Sequence, residues 1–243
     1  MSKMPATDPW APLRGFTKAR IGLGRAGDAP PLKSVLDFQL AHARARDAVH
    51  TPFDAAAMVL ELADLNPVIV TSQAGDRTTY LRRPDLGRRL DPGARLETDD
   101  WDAAFVIADG LSATGVMAHA VPVLRAVMPK LESWKIAPPV IASQARVALG
   151  DEIGAQLGAQ MVAVLIGERP GLSAADSLGI YLTWQPVPGR TDAQRNCLSN
   201  IHPPDGMGYE AAASRLAWLM HEARARQITG IELKDEGQTL LPE

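Results

Sequence analysis

Residues 143–173 read SQARVALGDEIGAQLGAQMVAVLIGERPGLS, and this stretch decides the fold. Met161 to Ile166 is an unbroken apolar run between Gly158 and Gly167, the pattern of a strand covered on both faces rather than on one. The segment before it, from Arg146 to Ala159, has the spacing of a helix leading into that strand. After it comes Gly167-Glu168-Arg169-Pro170-Gly171, which sets an acid, a base, two glycines and a helix-breaking proline at the strand's carboxyl end. Open α/β sheets bind ligands at such ends.

Working outward, Ala103 to Ala108 is the second strong strand, and Asp109-Gly110-Leu111-Ser112 turns it into a helix over about Ala113 to Val127, with Pro122 expected to kink or divide it. Ser112 is the expected N-cap, and a helix N-terminus beside a strand end can face a ligand. Val140–Ser143 and Gly179–Trp184 read as further strands, as does the β-branched stretch opening at Pro67. Thr78–Leu81 is a weaker strand candidate. Tyr209 to Ile228 predicts an amphipathic helix with Leu216, Leu219 and Met220 inward. Strands alternating with helices predict an α/β fold with a doubly wound, mostly parallel sheet.

The N-terminal third differs. Residues 1–31 are rich in proline and glycine and predict an irregular arm. Within it Gly22-Leu23-Gly24-Arg25-Ala26-Gly27 has the G-x-G-x-x-G spacing of a dinucleotide site, which would make the chain an NAD-dependent oxidoreductase. That chemistry needs a strand before the motif and a helix running out of it, and Pro30-Pro31 oppose the helix. A glycine-rich turn or docking arm is the better reading. Ser34 reads as the N-cap of a helix whose Val35, Phe38, Leu40 and Ala41 form an apolar stripe, and a second helix follows over about 53–64. The expected organisation is an arm with helices over 1–66, an α/β domain over 67–233 and a frayed tail over 234–243.

Composition narrows the function. The formal net charge of -3 gives no electrostatic case for nucleic acid or an anionic membrane. No apolar run approaches the roughly 20 residues of a membrane span, and the first residues lack the apolar core of a signal peptide. A lone cysteine, Cys197, has no internal disulfide partner. A cytoplasmic protein with small-molecule or protein partners is expected.

The candidate site collects Asp109–Ser112, Gly167–Leu172 and the 195–200 part of a long polar loop expected between Pro186 and Gly208. It is rich in hydrogen-bonding groups and poor in catalytic pairs. Cys197 with His202 would need contact that five residues of loop do not establish. Glu168 beside Arg169 reads as an acceptor rather than a general acid. His42 and His50 lack partners at metal-ligand spacing. Arg82, Arg83, Arg88 and Arg89 are compatible with a phosphate site, but a solvated loop neutralised by the acids at 97, 99 and 100 is the expected outcome.

Seven strings now matter together: ARIGLGRAG (19–27), ARDAVH (45–50), YLRRPDLGRRL (80–90), ADGLSA (108–113), ARVALGDEIG (145–154), IGERPGLS (166–173) and RNCLSNIHPP (195–204). In this order the chain closely resembles the small (light) subunit of ethanolamine ammonia-lyase. The resemblance implies a lyase that converts ethanolamine to acetaldehyde and ammonia with adenosylcobalamin. It implies a Rossmann-like domain that holds the cobalamin against a large subunit carrying most substrate residues, in a hetero-oligomer without nucleic acid or membrane. It leaves open whether the enzyme sits in a bacterial microcompartment. The family's cobalamin contacts map onto Val147, Glu168 and Cys197, with no catalytic residue and no metal ligand in this chain. No histidine stands in D-x-H-x-x-G, so the resemblance implies base-on binding, the cofactor's own benzimidazole remaining on cobalt.

Overall fold

A computed structural model describes residues 8–234. Its strands are β1 (Val68–Thr71), β2 (Ala103–Ala108), β3 (Val140–Ser143), β4 (Met161–Gly167), β5 (Leu178–Trp184) and β6 (Asn196–Ile201). Its helices are α1 (Ala11–Arg14), α2 (Leu32–His50), α3 (Ala55–Glu61), α4 (Arg77–Arg82), α5 (Ala113–Val127), α6 (Leu149–Leu157) and α7 (Tyr209–Arg226). The strands form one sheet in the order β1-β3-β2-β4-β5-β6. The first four in that order are mutually parallel, β5 runs antiparallel to β4, and β6 runs antiparallel to β5. The fold is therefore α/β with a mixed, mostly parallel sheet.

Every residue of β2 and of β4 is buried, which is why both read as continuous apolar runs instead of alternating ones. Ala103, Phe105 and Ile107 of β2 face the cluster built with α5 and α7, while Ala104, Val106 and Ala108 face Leu149, Ile153 and Leu157 of α6. Connections leaving the neighbouring strands β2 and β3 thus go to opposite faces of the sheet. A crevice opens between the carboxyl ends of two such strands.

Local chemistry sets the helices that frame this crevice. Ser112 Oγ accepts the Gly115 N–H at 3.2 Å and starts α5, which runs unbroken through Pro122. Gly150 lets α6 lie directly on the sheet: a Cβ there would sit 2.3 Å from Val164 Cγ2. Gly158, at φ +76°, ends α6 in the left-handed conformation.

Several expectations are corrected. Thr78–Leu81 is not a strand but part of α4, because Asp76 accepts from Thr79 N–H (3.0 Å) and Thr79 Oγ1 (2.7 Å) and caps a helix over a β-branched sequence. The 186–208 stretch is not structureless, since it contains the edge strand β6. α2 begins at Leu32 after Pro31, so Ser34 lies inside it and is not its cap. Its expected inward stripe is largely open: Phe38 is 44% and Leu40 51% exposed, and Ala48 alone is buried. α3 does contribute Met58, and Leu62 follows it into the same core beneath α5, and Leu216, Leu219 and Met220 of α7 are buried as expected. The tail expected to fray lies, from residue 235 on, outside the described residues. Among the described residues no helix is long and apolar enough to cross a membrane.

Candidate functional site

Buried ionic groups floor the crevice at the ends of β2 and β3. Asp109, leaving β2, accepts the Ala145 N–H through Oδ1 at 2.9 Å. Its Oδ2 lies 3.3 Å from Arg77 Nη1, which also donates to Gly110 O at 2.8 Å. Arg77 Nε donates to Val49 O, tying the end of α2 to the crevice. Tyr80 of α4 is fully buried and donates its hydroxyl to Ala145 O at 3.2 Å. The Arg77 and Arg146 guanidinium groups lie 4.8 and 4.3 Å from its ring centroid. Burial pushes the Asp109 carboxyl above the ordinary carboxylate range, against the opposing pull of the Ala145 N–H and then of Arg77. Burial likewise raises the Tyr80 hydroxyl well above a free phenol. Gly110, at φ +56°, brings the β2 and β4 ends together; a Cβ there would sit 2.2 Å from Gly167 O.

Above this floor lies a cleft of about 460 Å³ whose walls include Leu111, Val147, Gly167, Glu168, Arg169 and Tyr181. Val147 precedes α6, and its carbonyl accepts the Gly150 N–H at 3.0 Å. Glu168 follows β4: its N–H donates to Ser177 O at 3.0 Å and its Oε2 accepts the Asn200 N–H at 3.1 Å. Gly179 makes room for this side chain, since a Cβ there would meet Glu168 Oε1 at 3.0 Å. Cys197 does not line the cleft. It stands opposite Tyr181 across β5 and β6, and Tyr181 does line it. The structure thus places Val147 and Glu168 on one cleft, with Cys197 beside the Tyr181 of one wall.

Cys197 retains exposed surface, but its surroundings remove enough water to push the thiol above its ordinary value. The Tyr181 hydroxyl opposes that rise, and the Glu168 and Asp192 carboxylates add to it. Tyr181 itself is pushed up to about 12, first by burial and then by Cys197. His202 Nδ1 lies 3.3 Å from Asn200 O, and no Cys197–His202 contact exists among the described residues. Nor do three His, Cys, Asp or Glu side chains group there as a metal site requires.

A second cleft, of about 640 Å³, shares Arg146 and Val147 with the first. Beneath it Arg195, just before β6, makes two 2.7 Å bonds to Asp151 of α6 and one of 2.8 Å to Thr183 of β5. Both charged side chains are 1% exposed. Neither this pair nor the Arg77–Asp109 contact leaves a local trace in the sequence, since their members are 44 and 32 residues apart. The acids at 97, 99 and 100 are not the neutralisers of the 82–89 arginines. Arg83 pairs with Asp85 and Arg89 with Glu152, while Asp99 pairs with Lys135.

Two other regions fall away. Gly22, Gly24 and Gly27 all have positive φ, in a turn that, among the described residues, has no strand before it and no helix leaving it until α2 begins at Leu32, so the dinucleotide geometry is not formed. A larger depression of about 780 Å³ lies between α2, the 171–176 segment after β4 and the 202–205 turn, and its Lys18 and Asp205 pair with each other.

Fold and cleft define a class: an α/β protein with a polar cleft at the carboxyl edge of its sheet, where such sheets receive ligands. The family model described as ethanolamine ammonia-lyase light chain (EutC) matches residues 7–234. The chain is 52% identical over 235 residues to the ethanolamine ammonia-lyase small subunit of Rhodococcus erythropolis, covering 95% of this chain and 91% of that one. It is 51% identical to that of Azotobacter vinelandii (97% and 92% covered) and 52% identical to that of Bradyrhizobium diazoefficiens (96% and 93%). The chain belongs to the ethanolamine ammonia-lyase light-chain family, a family of lyase subunits.

Proposed function

We propose that this chain is the small subunit of an adenosylcobalamin-dependent ethanolamine ammonia-lyase in the cytoplasm, holding the cofactor at its interface with a large subunit. The relatives' names supply the class of reaction, and a small subunit has a larger partner. The observation that carries the cofactor reading is the shared cleft of Val147 and Glu168, backed by Tyr181 and Cys197.

The donors and acceptors present suit a corrinoid. Its side-chain amides offer both N–H and C=O groups. Glu168 Oε1 has no described hydrogen bond, so it is available to an amide N–H. Arg146, which lines the cleft, has a buried Nε without a partner, while Val147 offers apolar contact. When bound, the cofactor supplies cobalt–carbon homolysis, and the protein supplies binding and orientation. On this reading residues 67–233 form a Rossmann-like cofactor domain, and residues 1–66, with the open face of α2, serve assembly with the large subunit. Cobalamin binds base-on, because none of the chain's histidines stands in the motif that would displace the benzimidazole.

The test is reconstitution. Large subunit, this chain and adenosylcobalamin together release ammonia from ethanolamine, and omitting the chain abolishes release. Ammonia release that does not depend on the chain overturns the proposal. Nitrogen-15 histidine labelling checks the base-on part: coupling of a protein nitrogen to cobalt in the Co(II) state would refute it.

A further inference from the structure

The arginines between 82 and 89 find an incomplete set of counter-charges. Arg83 and Arg89 pair with Asp85 and Glu152, but the Arg88 side chain has no partner among the described residues. Arg88 lines the 640 Å³ cleft with Arg89, Arg146, Arg190 and Arg195, against two lining carboxylates, Glu152 and Asp192.

Pairing each charge shows where the surplus sits. Glu152 takes Arg89, and Asp151 takes Arg195 from below. Arg190 donates Nε and Nη2 to the neutral Gln185 carbonyl, at 3.2 and 3.0 Å. Arg146 stacks on Tyr80 and gives Nη2 to the Tyr80 carbonyl at 3.3 Å. Among the described residues, Arg88, Arg146 and Arg190 therefore meet no carboxylate. Two donors here are also buried and unbonded: Arg146 Nε, and Nε of the 1%-exposed Arg195, whose nearest acid, Asp192 Oδ1, is 3.7 Å away. Buried donors without acceptors are unfavourable, and guanidinium groups converging on one cleft suit a tetrahedral oxyanion.

We propose that this cleft is an oxyanion subsite for a phosphate diester. Resting on the cofactor reading above, the diester is that of the nucleotide tail of cobalamin: the two clefts meet at Arg146 and Val147, so one ligand can occupy both. Free phosphate shares the chemistry, and the experiment separates the two sources.

Visible-absorbance titration of the chain assembled with its large subunit compares cyanocobalamin, which carries the diester, with dicyanocobinamide, which lacks the nucleotide and its phosphate. Variants are Arg88→Ala, Arg190→Ala and the double change, with unaltered melting temperature as the folding control. Each lost charge-assisted contact lowers cobalamin affinity roughly tenfold, and the double change roughly a hundredfold, while cobinamide affinity stays level. Arg190→Lys recovers part of the loss, since charge is kept and the fork is not. Equal losses for both corrinoids, or no loss for either, overturn the proposal. Wild-type complex that binds neither corrinoid defeats the cofactor reading alone. In that case inorganic phosphate decides: a phosphate-dependent rise in the full chain's melting temperature that the double variant lacks upholds the subsite, and its absence overturns it.

Discussion

The floor and the rim of the crevice are both polar, yet they are built on opposite terms. On the floor, Asp109, Arg77, Tyr80, Asp151 and Arg195 meet protein partners at hydrogen-bonding or ring-stacking distance and are largely withdrawn from water, with one nitrogen each of Arg77 and Arg195 left unbonded. On the rim, Glu168 has one oxygen engaged, and Arg88 has no partner among the described residues. Groups that have found partners inside the chain hold elements together, whereas groups with spare capacity at an open cleft await something outside it. Polarity alone does not separate the two roles; the state of each group's partners does.

The sharpest test of the floor is Asp151→Ala. It leaves the Arg195 charge buried beneath three elements, α6, β5 and the start of β6, and removal of one member of a buried pair is costly. We expect a loss of about 3–5 kcal/mol of unfolding free energy by urea denaturation. A loss below about 1 kcal/mol would make the pair dispensable and break the contrast.

Asp109 comes next. Asp109→Ala strands the Ala145 N–H and the Arg77 guanidinium, and about 1–3 kcal/mol should be lost. Because burial raises the Asp109 pKa in the folded state above its unfolded value, its contribution is fully present below the unfolded pKa and declines as pH rises through the folded one. Asp109→Asn keeps an acceptor without the desolvated charge. At neutral pH it should therefore be less harmful than Asp109→Ala, with a flatter stability profile between pH 4 and 7; equal losses from the two variants would show that shape, not charge, is what the site needs.

Glu168→Gln moves the test to the rim. Stability should stay within about 0.5 kcal/mol, because Gln still accepts the Asn200 N–H. Cobalamin affinity should fall roughly tenfold, as a charge-assisted bond becomes a neutral one. The reverse pattern, unchanged affinity with a falling melting temperature, would return Glu168 to the floor.

The sequence disclosed this architecture unevenly, for physical reasons. β2 and β4 were legible to within a residue because burial on both faces forces continuous apolar runs, and α5 because Ser112 is a side-chain cap. α4 was misread because Thr78, Thr79 and Tyr80 favour strands, and a short helix is decided by its cap rather than by the sum of propensities. β6 was missed because an edge strand pairs on one side only, and four of the six residues in NCLSNI are exposed or partly so. The apolar face of α2 was legible as a pattern, but periodicity cannot say what covers a face. Val147, Glu168 and Cys197 came from likeness to a family; Asp109 and Arg195 stood in segments singled out from the residues, but their pairing with Arg77 and Asp151 was legible in neither way, since contacts between residues 32 or 44 positions apart leave no local trace.

The smallest effect expected is at Cys197, which by position belongs to the rim and by environment leans toward the floor. Its thiol is raised by burial and by the Glu168 and Asp192 carboxylates, against the Tyr181 hydroxyl. Less thiolate is present at pH 7.5 than in a free cysteine, so iodoacetamide should alkylate it more slowly than it does glutathione. Glu168→Gln removes a like charge and should speed the reaction a few-fold. Cobalamin, if it closes the cleft over Tyr181, should slow it further. Cys197→Ala should change turnover of the reconstituted enzyme by less than about threefold, because the residue meets the cleft through Tyr181 rather than at its surface. Alkylation as fast as glutathione's and indifferent to cobalamin would mean that the β5–β6 edge stands clear of the ligand. In that case the rim would end at Glu168.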